Sequence, residues 1–314
     1  GIGADDPSEI QDTLRIVDKL DKIGPDTNPR IREILEGLIR HAHDFAREVN
    51  LTPDELLYTA RYIQAVGQIS DDKREEGVLL GDILGLSALT EILADKVRVG
   101  ATESSLLGPF YRDGAPVREM GFDISLGDTE GEAAIVRGTV TDASGAPLAN
   151  VTLDLWQVAP NAFYEAQVGQ PGDYEDYAYR GKFTTGDDGT YLVKTRKPVD
   201  YPIPVDGPVG IIMEATGRHN MRPAHLHYLI HKDGYQTVQT ELFNEDSEFL
   251  DSDAVFGVKE TLIIPYTQID DPARAAEYGI EGSFFEGVFD FTMKDDASER
   301  DAAAAYSERA SMSA

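Results

Sequence analysis

The sequence predicts a mainly β protein: an antiparallel β-sandwich preceded by an N-terminal α-helical region. Three observations carry that prediction. The first hundred residues repeat apolar side chains at helical intervals. From about residue 133 the chain alternates polar and apolar residues in short runs separated by Gly, Asp and Pro turns. A Gly/Pro-rich connector with an aromatic centre, "SSLLGPFYRDGAPV", lies between the two textures.

The elements follow in order. "ADDPSEIQDTLRIVDKL" offers Asp6 as N-cap, Pro7 at the first helical position and Glu9 three beyond the cap. "LTPDELLYTARYIQAV" repeats that grammar with Thr52, Pro53 and Glu55. Between them Ile31, Ile34, Leu35, Leu38, Phe45 and Val49 form an apolar stripe, read most simply as helix–helix core. A further helix is expected through "LGDILGLSALTEILADKV". Strands are expected in "AAIVRGTVTDASGAPLANVTLDLWQ", "KFTTGDDGTYLVKTR", "VGIIMEATG", "AHLHYLIHKDGYQTVQTELF" and "VKETLIIPYT". The end, "KDDASERDAAAAYSERASMSA", reads as a loosely held acidic tail. The expected division is a helical region at 1–103, a β-sandwich domain at 104–285 and the tail at 286–314.

Composition narrows the function. A formal charge of −29 argues against a nucleic-acid partner, because a phosphate backbone needs clustered Lys and Arg. The absence of cysteine excludes disulfides, thiolate nucleophiles and Cys-ligated metal centres, so any metal must be held by His, Tyr, Asp or Glu. No apolar run approaches the roughly 20 residues of a membrane helix, so no membrane partner is expected. The opening "GIGADDPSEI" lacks the basic and apolar regions of a signal peptide, which makes cytoplasm the expected location.

Of the six histidines, two stand one residue apart in "RPAHLHYLI". Alternate residues of a strand leave the same face, so His225 and His227 can reach one point. His41 and His43 share that spacing, but they lie in a helical pattern, where i,i+2 side chains diverge. Two histidines alone do not identify a metal. With a carboxylate such as Glu214 or Glu241 they suit ferrous iron or zinc. Tyrosines offer another donor set: Tyr164, Tyr174, Tyr177, Tyr179 and Tyr201 all fall in loops beside strand ends. A phenol ionises near pH 10, so a tyrosinate ligand calls for a strongly Lewis-acidic ion such as ferric iron.

"RPAHLHYLI", with "LLGPFYRDGAP" and "DLWQVAPNAFYEAQ" upstream, resembles the intradiol ring-cleaving dioxygenases over nearly the whole chain. The resemblance implies one non-haem ferric ion per subunit, held by Tyr164, Tyr201, His225 and His227. It implies small aromatic diols or triols and O2 as substrates. Tyr201 would be the ligand displaced by the diol and would help take its protons, while Arg222 would stabilise negative charge on the ring. The substrate pocket would draw on Leu79, Asp82, Leu106, Gly108, Pro109, Phe110, Ile203, Pro204, Val205, Arg222 and Val255. "DLWQVAPNAFYEAQ" and "YPIPVDGPVG" look closer to the branch acting on hydroxyquinol than to the one acting on catechol. Asp82 would accept a hydrogen bond from a third ring hydroxyl, which catechol lacks. The resemblance also implies a homodimer through the N-terminal helices, which in several relatives enclose a phospholipid. Glu241 and Gln239 share a strand face near the histidines, and their roles stay open. "VRGTVTDASGAPLANVTLDLW" also resembles the transthyretin-like sandwiches, which leaves a non-catalytic binding module as the other class of reading.

Overall fold

The structure, a computed structural model, describes residues 28–96, 98–167 and 174–296 together with Arg15. The helix expected around Asp6, Pro7 and Glu9 and the chain beyond 296 lie outside those residues. The chain forms two compact units, residues 1–65 and 66–314.

The first unit is helical. Helix α1 (Pro29–Val49) starts at Asn28, whose side-chain oxygen accepts from the Arg30 and Ile31 amides at 2.9 and 3.3 Å. It ends on Asn50 in the left-handed conformation. Helix α2 (Pro53–Ile69) opens with a reciprocal cap: the Thr52 amide donates to Glu55 at 2.8 Å, and the Glu55 amide donates to Thr52 Oγ1 at 3.3 Å. The apolar stripe differs from its expected role as helix–helix core. Among the described residues α1 buries no side chain, and Ile31, Leu38 and Phe45 are 54, 62 and 54% exposed. No single helix among the described residues is long and apolar enough to cross a membrane.

In the second unit the expected continuous helix is two, α3 (Glu76–Ile83) and α4 (Leu86–Asp95), bent by 76°. Gly85 makes the break: it takes a φ of 71° and its amide turns back to the Asp82 carbonyl at 2.9 Å, which ends the helical ladder.

Two five-stranded sheets follow. The first joins β1 (Ala133–Asp142) to β4 (Thr190–Arg196) on one side and to β11 (Phe284–Val288) and β12 (Phe291–Met293) on the other, with β10 (Tyr266–Ile269) outside β11. The second runs β3 (Arg180–Thr184), β2 (Thr152–Trp156), β7 (His225–His231), β8 (Val238–Asn244) and β9 (Ile263–Ile264). A two-stranded ribbon pairs β5 (Tyr201–Pro202) with β6 (Met221–Arg222), and helix α5 (Pro208–Thr216) joins them. This corrects the strand expected in "VGIIMEATG": Pro208 opens the segment as a helix and Gly217 closes it in the left-handed conformation. Helix α6 (Pro272–Glu277) links β10 to β11.

The mainly β sandwich is as expected, with antiparallel pairs β1–β4, β2–β3, β2–β7, β7–β8 and β10–β11; beside them β11 and β12 run parallel to β1, and β9 parallel to β8. Strands β11 and β12 also extend the sandwich beyond residue 285, where acidic composition suggested that the tail begins. Phe284, Phe291 and Met293 are buried and outweigh the charges beside them. The break between β11 and β12 falls opposite Gly138, where a Cβ would stand 1.7 Å from the Phe289 carbonyl oxygen.

The two sheets share one apolar core. Val136, Val140 and Val193 meet Leu153, Leu155, Leu226, Tyr228, Ile230 and Leu242 there. This parity fixes the rest. With Leu226, Tyr228 and Ile230 facing inward, His225 and His227 face the outside of the second sheet. A second apolar cluster, including Leu79, Ile83, Val209 and Met213 from α3 and α5, packs with Trp156 on that outer side.

Candidate metal centre

On the outer face of the second sheet, cross-strand pairing sets a row of four side chains: Arg180, Trp156, His227 and Glu241. Trp156 stacks on the His227 ring at 4.7 Å with 7° between planes, which fixes the imidazole in orientation. His225 stands one pleat along. Its Nδ1 is 2.7 Å from the Pro223 carbonyl oxygen, which can only accept, so Nδ1 carries the proton and Nε2 keeps its lone pair.

Two loops bring phenols to the histidines. After β2 the chain turns at Ala162 (φ 66°) and returns as Tyr164, whose hydroxyl lies 3.1 Å from His227 Nε2. Tyr201, opposite Arg222 in the ribbon, places its hydroxyl 3.4 Å from that of Tyr164. His225 Nε2 and His227 Nε2 are 3.1 Å apart. Donors bonded to one ion at about 2.0–2.1 Å stand roughly 3.0–3.5 Å from one another. The four atoms therefore fit a single ion. All four side chains are at most 4% exposed.

Charge supports the fit. Burial, with Arg222 beside it, lowers His225 to about 4; burial lowers His227 well below its ordinary value, so both are neutral, as ligation requires. Burial pushes both phenols up, Tyr164 far above its ordinary value and Tyr201 less so because Arg222 offsets part of the effect. Only a strongly charged cation would ionise them here.

His225 and His227 also approach Glu241, with Nε2 and Nδ1 at 3.2 and 3.4 Å from Oε1, and the three form a buried group able to hold a metal. That carboxylate is already engaged. Arg222 donates to it through Nη1 at 2.8 Å and Nη2 at 3.1 Å, and Ser105 Oγ lies 2.6 Å from Oε2. Burial would raise Glu241, but Arg222 and the histidines outweigh it and hold the group well below the usual carboxylate range. Glu214, the other carboxylate named from sequence, is exposed on α5.

Arg222 is gripped on its other edge by Asp253, at 3.0 and 3.2 Å, and its Nη1 reaches Tyr201 OH at 3.3 Å. The anticipated pocket residues assemble here. Leu79, Leu106, Phe110, Ile203 and Val255 join the apolar cluster that holds Trp156, Tyr164 and Tyr201. Phe110 stacks on Tyr164 at 4.8 Å, and a Cβ on Gly108 would sit 3.3 Å from His227 Cε1. Pro109 is buried beside them. Asp82 is 2% exposed and feels the charges of Arg222, Glu241 and Asp253; burial, partly offset by Ser87, raises it to about 6. Val205 is 49% exposed and lines, with Ile203, Pro204 and Phe110, an outer cavity of about 520 Å³. The other loop tyrosines turn away: Tyr179 donates to Asp128 at 2.5 Å and Tyr177 to the Asp113 carbonyl at 3.2 Å. Tyr174 packs edge-on against Tyr179.

Sequence reasoning missed Asp253, Ser105, Arg180 and Glu165. No local pattern marks them, since each owes its place to a partner distant in the chain or to burial.

A sandwich with neutral imidazoles and phenols gathered on one buried face has the donor set of a metalloenzyme. Residues 28–102 match the family described as catechol dioxygenase N terminus, and residues 106–294 match the dioxygenase family. The chain is 40% identical over 267 residues to a hydroxyquinol 1,2-dioxygenase of a Rhizobium species, covering 85% of this chain and 90% of that one. It is 44% identical over 239 residues to the 6-chlorohydroxyquinol 1,2-dioxygenase of Cupriavidus pinatubonensis, covering 75 and 84%. The crystal structure of a hydroxyquinol 1,2-dioxygenase from Pseudomonas putida superposes with a TM-score of 0.78 at 38% identity, covering 92% of this chain and 99% of that one. The chain belongs to the intradiol ring-cleaving dioxygenases.

Proposed function

We propose that this enzyme cleaves hydroxyquinol (benzene-1,2,4-triol) between its vicinal hydroxyl carbons with O2, giving 3-hydroxy-cis,cis-muconate and its tautomer maleylacetate. The reading rests chiefly on one observation: His225, His227, Tyr164 and Tyr201 bring four donor atoms within 3.1–3.4 Å steps of one another in a buried site. These residues would hold one ferric ion per subunit. When bound, that ion would act as Lewis acid toward the two vicinal hydroxyls and accept electron density from the ring.

The protein's part is binding, orientation and proton handling. Tyr201 is the residue for a diol to displace, because its oxygen already accepts from Arg222 and can leave toward that cation with a proton from the substrate. Tyr164 stays, packed under Phe110. Arg222, fixed on both edges by Glu241 and Asp253, offers Nη1 to negative charge on the ring oxygens. Leu79, Leu106, Phe110, Ile203 and Val255 exclude water from the ring faces, and Gly108, Pro109 and Pro204 shape the adjoining backbone. Asp82 would accept the third hydroxyl, which supports hydroxyquinol over catechol, as does the identity to hydroxyquinol enzymes.

The exposed apolar faces of α1 and α2, with Ile31, Ile34, Leu38, Leu56 and Ile63 each more than half exposed, support a homodimer through these helices, with a phospholipid as a further occupant. Cytoplasm is the proposed location, and a helical region at 1–103 followed by a catalytic sandwich that runs on through β12 the proposed functional division.

The test is a visible spectrum of the ferric protein under nitrogen, before and after hydroxyquinol and then catechol. A red tyrosinate band that shifts with diol, and faster turnover of hydroxyquinol once oxygen is admitted, is the expected result. A protein that holds iron without colour would remove the tyrosinate assignment. Faster turnover of catechol would move the substrate assignment to that diol.

A further inference from the structure

Arg180 ends the row that carries the site, paired across β3 and β2 with Trp156, which is paired in turn with His227. It is 1% exposed, a place where a guanidinium needs partners. Its Nε donates to both oxygens of Glu165, at 2.8 and 2.7 Å, and Glu165 directly follows Tyr164. Its Nη1 donates to the Phe110 carbonyl at 2.7 Å, and the Phe110 ring is the one stacked on Tyr164. The guanidinium carbon stands 5.7 Å from the centre of the Tyr164 ring itself. One arginine thus reaches the residue after Tyr164, the residue whose ring covers it, and the phenol ring. Arg112 closes the arrangement from outside, with Nη1 at 2.6 Å from Glu165 and 2.8 Å from Asp176. Two of the three guanidinium nitrogens are spent on these bonds, which aim the group at two fixed acceptors, one on the residue after Tyr164 and one on the residue whose ring covers it.

We propose that Arg180 is a positioning residue for Tyr164, holding the phenol oxygen against the histidine nitrogens through Glu165 and Phe110. The inference rests on the reading of Tyr164 as an iron ligand. Groups that orient a metal ligand in this way typically govern metal affinity about 10- to 100-fold.

The test uses the full chain loaded with ferric iron in a Tyr201→Phe background, where any tyrosinate band comes from Tyr164 alone. Arg180→Gln and Arg180→Lys are added to it, with iron affinity read by chelator competition and folding read from thermal melts of the metal-free proteins. Arg180→Gln should shift the Tyr164 band and weaken iron binding about 10-fold or more. Arg180→Lys should fall between, because an ammonium can meet Glu165 but cannot span to the Phe110 carbonyl. A lower melting temperature with an unshifted band and unchanged iron affinity would overturn the proposal. Should Arg180→Gln not fold, the Lys variant decides on the same two readouts. A Tyr201→Phe protein that binds iron yet stays colourless overturns the ligand reading, and this inference with it.

Discussion

The guanidinium of Arg222 lies edge to edge with the carboxylate of Glu241, Nη1 to Oε1 at 2.8 Å and Nη2 to Oε2 at 3.1 Å, with both side chains at most 2% exposed. A carboxylate held in this way has little left to give a metal, although it stands beside both histidines. Glu241→Gln should therefore keep iron and its colour while slowing turnover, whereas His227→Ala should lose the metal. Equal loss of iron in both variants, measured by metal analysis after dialysis, would make Glu241 a ligand.

Truncation at the same place has a different cost. Glu241→Ala leaves Arg222 buried with Asp253 as its remaining carboxylate, and breaking a buried pair typically costs about 3–5 kcal/mol. Urea unfolding should show a loss toward the low end of that range. An unchanged midpoint would mean that Asp253 alone compensates the charge.

Asp82 should govern the choice of ring. Replacing it by Ala removes the acceptor for a third hydroxyl and leaves the apolar wall of Leu79 and Ile83 in place. The ratio of kcat/KM for hydroxyquinol to that for catechol should fall about 10-fold or more. An unaltered ratio, with both substrates slowed equally, would leave Asp82 no part in specificity.

Asp154 gives the fold a pH dependence of its own. Burial raises it to about 6, with Lys182 offsetting only part of the effect. The folded protein then holds this proton more tightly than the unfolded chain, whose carboxyl titrates near 4. Its contribution is favourable below that lower value and is lost as pH rises toward 6. Asp154→Asn should flatten the fall in unfolding free energy between pH 4 and 6, raising stability at pH 7 by about 2–3 kcal/mol relative to wild type. Identical pH profiles for the two proteins would sink this account.

Gly138 should tolerate no side chain. A Cβ there would lie 1.7 Å from the Phe289 carbonyl oxygen and 3.0 Å from Tyr191, between the two strands that pair with β1. Gly138→Ala should lower stability by about 3 kcal/mol or more by forcing β11 and β12 off β1. A thermal midpoint within a degree or two of wild type would show that the break relaxes freely.

What the sequence determined by itself is local. The capping box of Thr52 and Glu55 is written in four consecutive residues and forms as written. The shared face of His225 and His227 follows from the two-residue period of a strand, and Leu226, Tyr228 and Ile230 between and beyond them fill the inter-sheet core on the other face. The family was legible from the motifs around these positions. The tertiary structure decided the rest. It put the hydroxyls of Tyr164 and Tyr201 beside the histidines and sent Tyr177 and Tyr179 to Asp113 and Asp128. It broke the helix at Gly85 and brought β11 and β12 parallel to β1 across more than a hundred residues of chain. It also joined Ser105, Arg222, Glu241 and Asp253 into one buried network. Strand period and helix caps arise from forces among neighbours in the chain, so they can be read in line. Which charge meets which across a sheet depends on strand order and register, and those are settled only when the whole core closes.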